Sequence, residues 1–148
     1  MNIEIDQSGK LEATNRKTVI AFSNNKKHFI SILPKDKQIL QKFFRDAGKP
    51  EMFIYRVFAI LCFLLIKDHL LEIDGLTIDQ EYLGKSSIIK DLILNLIRKE
   101  NPNFNKSKIV FDHITKKSNA HWVAYETFTS KSTTGKVIKY KEVLKYLI

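Results

Sequence analysis

The first third of the chain alternates apolar and polar residues with a period of two, which is typical of β-strands. Ile3, Glu4, Ile5 and Asp6 alternate in this way, and a turn region with Gly and Asn follows. Two further runs, TVIAFSN and HFISILP, are rich in β-branched and aromatic residues, and the second ends at Pro34. Three such runs with short connections predict antiparallel strands at residues 2–6, 18–24 and 28–34.

The period then changes to that of a helix. The segment KDKQILQKFFRDAG places apolar side chains three and four positions apart, which predicts a helix at residues 35–48. A second helix is predicted at about 50–67, with Pro50 in its first turn. Because this segment is apolar nearly all round, we expect it to be buried against a sheet. A third helix, KSSIIKDLILNLIRKENP, is amphipathic and ends at Pro102.

Two more strands are predicted in the second half of the chain, one before and one after the third helix. Leu76 and Ile78 alternate with Thr77 and Asp79, which predicts a strand at about 76–82, and SKIVFDHI predicts another. SNAHWVAYETF favours a short helix, and the tail KVIKYKEVLKYLI favours a helix over a strand. The coarse order β-β-β-α-β-α-β-α predicts a mixed α/β fold in a single domain, residues 1–148. Its five-stranded mixed sheet would have three antiparallel strands, then a parallel half, and helices on its faces.

The composition of the chain bears on its cellular compartment and on whether it crosses a membrane. A chain of 148 residues with 44% hydrophobic residues suffices for one core. The only cysteine, Cys62, allows no internal disulfide and is expected to be a buried core residue. The beginning of the chain lacks the pattern of a signal peptide. The apolar stretch Met52–Ile66 is 15 residues long, whereas a membrane crossing needs about 20. We therefore predict a cytoplasmic protein without a membrane partner.

The net charge of +9 indicates attraction to polyanions. The acids concentrate in the middle of the chain, and both ends are basic. Nucleic acid, DNA or RNA, is the expected partner, and the alternative is that the lysines serve solubility alone. The sequence leaves the oligomeric state open, with a homodimer as one option.

The element order and two short segments, IEIDQSG and LTIDQEY, resemble the ribonuclease H-like superfamily, which includes ribonucleases H, transposases, integrases and Holliday-junction resolvases. The resemblance covers most of the chain in element order, with KKSNAHWVAYE as a third candidate segment. It implies that the first and fourth strands are adjacent and parallel, so that their acids meet and bind a divalent metal.

The resemblance assigns Asp6 to the first-strand role and Asp79 or Glu81 to the fourth-strand role. A third ligand usually comes from a late helix, where His121 stands in this sequence in place of an acid. Ribonucleases H proper also carry a glutamate on the first long helix. The nearest acid, Glu51, follows a Gly-Lys-Pro break and is not assigned.

The residue types suit phosphodiester hydrolysis. Two hard cations can activate a water and stabilise the leaving oxygen, and Mg²⁺ or Mn²⁺ prefers carboxylate ligands. Asp79 and Glu81 are two residues apart, so on one strand both would point to the same side. The predicted metal ligands are Asp6, Asp79 and Glu81, with His121 as a further catalytic residue. The alternatives are a solvated acidic face and a histidine packed at a helix start.

Basic residues flank the predicted site in the sequence and could contact phosphates. The candidates are Lys10, Arg16, Lys17, Lys85, Lys116 and Lys117. The alternative for each is an ordinary solvated side chain.

The sequence thus predicts a magnesium-dependent nuclease, a hydrolase acting on RNA, DNA or a branched junction. One rival is a non-catalytic nucleic-acid-binding or assembly module on the same fold. Another is a PD-(D/E)xK nuclease, which is less favoured because DQEYLGK places its lysine four residues after Glu81. The chain shows no zinc spacing, no serine or cysteine nucleophile motif and no glycine-rich phosphate loop.

Overall fold

The structure is a computed structural model that describes residues 1–23, 27–113, 121, 124–125 and 136–147. These residues form one mixed sheet and the α-helices named below, together with 3₁₀ turns at Lys67–Glu72 and Lys106–Lys108, and His121, Ala124 and Tyr125 are also helical. The strands are β1 (Asn2–Ser8), β2 (Thr18–Ser23), β3 (Lys27–Ile32), β4 (Gly75–Asp79), β5 (Ile109–Asp112) and β6 (Lys136–Ile138). The helices are α1 (Pro34–Asp46), α2 (Met52–Ile66), α3 (Ser86–Glu100) and α4 (Tyr140–Leu144).

The strands lie in the order β5-β4-β1-β2-β3-β6. β1, β2 and β3 are antiparallel neighbours, whereas β4 is parallel to β1, and β5 is parallel to β4. The predicted mixed α/β class and the division into an antiparallel and a parallel half are confirmed. The predicted strand number is wrong, because the described part of the sheet has six strands and not five.

The sixth strand comes from the tail, whose sequence favours a helix. Residues Lys136–Ile138 pair in parallel with β3, with Ile138 in register with Ile32, and only Tyr140–Leu144 form the helix α4. The buried Asp36 carboxylate on α1 accepts a hydrogen bond of 2.9 Å from the backbone N–H of Tyr140. Three residues are too few to show an alternating pattern, so pairing with β3 and this contact decide the conformation.

The main core lies on one face of the sheet and is centred on α2. This helix contacts β2 and β3 on one side and α1, α3 and α4 on others, so every residue from Val57 to Ile66 is buried. The prediction of a buried, all-round apolar helix is confirmed. Cys62 is fully buried in it, and burial raises the pKa of its thiol, as expected for a core cysteine. No helix among the described residues has the length and apolarity to cross a membrane.

The opposite face of the sheet carries a smaller cluster, formed by Val19 and Ala21 of β2 with Ala124 and the partly buried Phe29. Ile3 and Ile5 of β1 face the main core, so Asp6 points to the opposite side. Asp6 is in register with Ala21, which places its side chain beside this smaller cluster. The candidate site therefore lies on the second face, at the ends of β1 and β4.

Candidate metal centre

The parallel pairing of β1 with β4 brings two aspartates to the same end of the sheet. Ile5 is in register with Ile78, and the next residue on each strand is an aspartate, Asp6 and Asp79. Both side chains point away from the main core because the isoleucines point into it. The predicted adjacency of the first and fourth strands is confirmed.

Three carboxylates converge there. Asp6, Asp79 and Glu81 each offer an oxygen atom, and these three atoms lie within 4.8 Å of one another. Among the described residues, this is the group of acids and histidines whose atoms could share one metal ion. The structure thus brings together the three predicted metal ligands.

Glu81 reaches the cluster by a different route from the one predicted. β4 ends at Asp79, so Glu81 lies in the turn after the strand and not on a strand extending to residue 82. The backbone N–H of Gln80 donates to the carbonyl of Asp112 on β5, and that of Glu81 donates to the carbonyl of Asp79. The turn, and not the two-residue period of a strand, directs the Glu81 carboxylate toward Asp79.

Asp6 is a buried carboxylate with two nearby donors. Its side chain is 4% exposed, Oδ1 accepts a 2.8 Å hydrogen bond from the backbone N–H of Gln7, and Oδ2 lies 2.9 Å from Nδ1 of His121. Burial raises the pKa of Asp6 to about 6, repulsion from Asp79 adds to the rise, and the contacts with Gln7 and His121 oppose it. Each carboxylate oxygen retains a second lone-pair site that a metal could use.

The pKa of Glu81 is raised further than that of Asp6. Burial, followed by a hydrogen bond with Asp79 and repulsion from Asp79 and Asp6, raises the pKa of Glu81 to about 8, while the positive charge of Lys10 opposes this. Two acids of the cluster therefore hold protons more tightly than free carboxyl groups do. A divalent cation would remove the same repulsion, so the cluster is electrostatically suited to one.

His121 lies beside the acidic cluster. Its Nδ1 atom is 2.9 Å from Oδ2 of Asp6. The group of described residues whose atoms could share one ion consists of Asp6, Asp79 and Glu81, so the contact of His121 with the cluster runs through Asp6. A histidine hydrogen-bonded to a carboxylate fixes the orientation of that carboxylate. The expectation that His121 takes part in catalysis stays a prediction.

The sequence reasoning missed three residues at this site. The side-chain amide of Gln7 and the hydroxyl of Tyr82 lie 3.1 to 3.2 Å apart and hydrogen-bond, which ties the end of β1 to the turn that carries Glu81. Asp112 on β5 is exposed and in register with Asp79, so it continues the row of aspartates on the same face. The alternation in IVFD, with its aspartate at the strand end, was a signal for Asp112 that the sequence already contained.

The predicted phosphate-contacting residues fall into three groups. Lys10 and Arg16 are exposed in the loop after β1, and the charge of Lys10 acts on Glu81. Lys17 is half-buried at the end of that loop, and the ammonium of Lys85 lies 5.7 Å from the ring centre of Tyr55 on α2. Lys116 and Lys117 lie outside the described residues, as does most of the helix predicted around His121.

Comparison of the chain with models of protein families, with curated proteins and with solved structures gives no match.

Proposed function

We propose that this chain is a metal-dependent nuclease of ribonuclease H-like fold that hydrolyses phosphodiester bonds of nucleic acid. The observation that carries the proposal is the convergence of Asp6, Asp79 and Glu81, whose oxygens lie within 4.8 Å of one another. Carboxylates are costly to bring together in a partly buried site, as the raised pKa values of Asp6 and Glu81 indicate. Binding a divalent cation is the function that offsets this cost.

The topology supports the fold assignment. Three antiparallel strands are followed by two strands parallel to the first, and the order β5-β4-β1-β2-β3 places β4 beside β1. The resemblance of IEIDQSG and LTIDQEY implied this adjacency. β6 adds a further strand beyond β3, so the fold would be a ribonuclease H-like sheet with an extension at the edge remote from the acids.

The chemistry proposed for the site divides among these residues. Asp6, Asp79 and Glu81 would hold Mg²⁺ or Mn²⁺ through carboxylate oxygens, the ligand type that these hard cations prefer. Bound metal would supply an activated water and charge stabilisation at the leaving oxygen. His121 would keep the Asp6 carboxylate oriented, and the contact between Gln7 and Tyr82 would keep the turn bearing Glu81 against β1.

The charge of the chain supports a polyanionic substrate. The net charge is +9, and the exposed Lys10 and Arg16 belong to the loop that follows β1, the strand that carries Asp6. Cations around an acidic metal cluster would contact the phosphates on either side of the cleaved bond. The three acids themselves would repel phosphate without metal, so metal and substrate binding should support each other.

The test of the proposal is Asp6→Asn, which keeps the size of the side chain and removes its charge. We expect the wild-type chain to cleave at least one of labelled RNA, duplex DNA and a four-way junction in Mg²⁺ or Mn²⁺. Asp6→Asn should reduce this cleavage by at least about 100-fold, the lower end of the loss that follows removal of one preorganised electrostatic contact. Binding measured in EDTA should be preserved or tighter, because one negative charge facing the phosphates is gone.

Asp68→Asn is the matched control, since Asp68 is an exposed acid in the 3₁₀ turn that precedes β4. It should cleave like the wild type. Binding without cleavage of any substrate in either metal would favour the non-catalytic nucleic-acid-binding module. Cleavage that persists at the wild-type rate in Asp6→Asn would remove this site from the mechanism.

A further inference from the structure

Lys37 is a fully buried lysine, and it is bonded to the loop that leaves the acidic cluster. Its side chain is 0% exposed. Its ammonium donates to the backbone carbonyls of Lys10 (3.1 Å), Ala13 (2.8 Å) and Arg16 (2.7 Å) and contacts the hydroxyl of Thr18 at 2.9 Å. One cation from α1 therefore binds four oxygens spread over residues 10–18.

This placement is costly by itself. Removing an ammonium from water is unfavourable, and burial lowers the pKa of Lys37 to about 8. Lys37 also lies in the first turns of α1, where the helix dipole disfavours a positive charge. The carbonyl oxygens offset these costs only while the loop keeps its curved path, so the loop conformation and the buried charge depend on each other.

The loop held by Lys37 connects β1, which carries Asp6, to β2. Its exposed side chains include Lys10, whose charge acts on Glu81 in the cluster, and Arg16. The carbonyls of these same two residues are among the acceptors of Lys37. Leu11, between them, is fully buried in the main core and also fixes the loop.

We propose that Lys37 is a positioning residue that holds the loop of residues 10–17 so that Lys10 and Arg16 face the phosphates flanking the metal cluster. The proposal rests on the proposed nuclease function and concerns how substrate is bound there. Because phosphates flanking the cleaved bond are bound in the ground state and in the transition state alike, this positioning acts on substrate affinity and not on the rate of the chemical step.

The test compares Lys37→Met with the double variant Lys10→Ala/Arg16→Ala on the labelled RNA, duplex DNA or junction that the wild-type chain cleaves. Lys37→Met should raise KM several-fold, as the double variant does, and leave kcat within about twofold, because uniform binding is weakened. For duplex DNA, the log–log slope of affinity against salt should flatten by roughly 0.9 for each phosphate that the variant no longer neutralises. Combining both sets of changes should raise KM little further, since Lys37 would act through the two side chains already removed.

Two further variants protect the test against misfolding. Lys42→Met, on the exposed side of the same helix, should leave KM and the salt slope unchanged. Thr18→Val removes one acceptor of Lys37 and should raise KM in the same direction by a smaller factor, so it carries the test if Lys37→Met does not fold. A merely structural role would lower the active fraction and hence kcat, with KM unchanged.

The outcomes separate this proposal from the one it rests on. If the wild-type chain cleaves nucleic acid but Lys37→Met and Thr18→Val keep its KM and salt slope, the role of Lys37 is overturned and the nuclease proposal stands. If KM rises independently in Lys37→Met and in the double variant, with multiplicative effects, Lys37 does not act through Lys10 and Arg16. If the wild-type chain neither binds nor cleaves nucleic acid, both proposals are overturned.

Discussion

At Asp6, burial and hydrogen bonding act on the carboxylate in opposite directions. Its side chain is almost wholly removed from water, which favours the protonated form, while the backbone N–H of Gln7 and the imidazole of His121 favour the ionised form. The result is a pKa of about 6, close enough to neutrality for a metal to displace the proton.

His121 gives a prediction at this scale. His121→Ala removes the contact with Oδ2 of Asp6, and loss of an outer-shell partner typically reduces metal affinity or activity by about 10–100-fold. His121→Asn can place an amide donor near the position of Nδ1 and should retain most of the cleavage. The measurement is Mn²⁺ titration by calorimetry together with cleavage rates. Equal losses in both variants would show that the imidazole itself, and not the hydrogen bond, is required.

The turn after β4 is the element on which the acidic cluster depends. It is held on one side by the bond between Tyr82 and Gln7, and the Tyr82 ring packs edge-on against Phe58 and Tyr55 of α2. Gly84 has a φ of +75°, a conformation in which glycine is favoured, and it lets the chain turn into α3. The turn therefore connects the main core to the acids of the second face.

Tyr82→Phe tests this connection by removing the hydroxyl and keeping the ring. The free energy of unfolding should fall by about 1 kcal/mol, the usual net contribution of a hydrogen bond. The cleavage rate should fall by more than this loss of stability alone would cause. The reason is that the lost hydrogen bond holds the turn that carries the neighbouring Glu81. Denaturant unfolding of Tyr82→Phe, Gln7→Ala and their combination forms a double-mutant cycle. Strictly additive losses would mean that the two side chains do not stabilise the site as a pair.

Over the whole molecule, a strongly basic chain contains one cluster of mutually repelling acids among its described residues. Asp6 and Glu81 bind protons more tightly in the folded chain than in the unfolded chain, with pKa values raised from 3.8 to about 6 and from 4.5 to about 8. The stability that these protons contribute is complete below about pH 4. It is lost as the pH rises through about 6 and then about 8, because the folded chain must then hold the ionised forms.

Binding of a divalent metal ion should restore the stability that the folded chain loses as the pH rises. We expect Mg²⁺ or Mn²⁺ to raise the midpoint of thermal unfolding, and to do so more at pH 8 than at pH 6, because protons compete with metal for the same carboxylates. Asp79→Asn removes a source of the repulsion, so it should stabilise the metal-free chain at pH 8 and abolish the metal effect. Scanning calorimetry at both pH values, with Asp68→Asn as the control, measures both. An equal metal effect at pH 6 and pH 8 would contradict ligation by these acids.

The local pattern of the sequence was enough to predict most of the helices and strands. It was also enough to predict on which face of the sheet Asp6 and Asp79 lie. The two-residue period placed Ile3 and Ile5 on one face and Asp6 on the other, and the all-round apolar α2 could be stable only when buried. The same period placed Asp79 on the face of the sheet opposite to Ile78. Each of these properties follows from residues close together in the chain, which is why the sequence alone could predict them.

Tertiary structure decided the features that depend on residues distant in the chain. His121 and Asp6 are 115 residues apart, and nothing in either segment specifies that their side chains meet. The same holds for the strand made by residues 136–138, which exists because β3 offers it an edge to pair with. Lys37 has the sequence context of an ordinary polar position on an amphipathic helix, yet three carbonyls of the loop after β1 and the hydroxyl of Thr18 on β2, all about 20 residues away, make it a buried cation. Periodicity specifies which way a side chain faces, but only the folded chain specifies what it meets there.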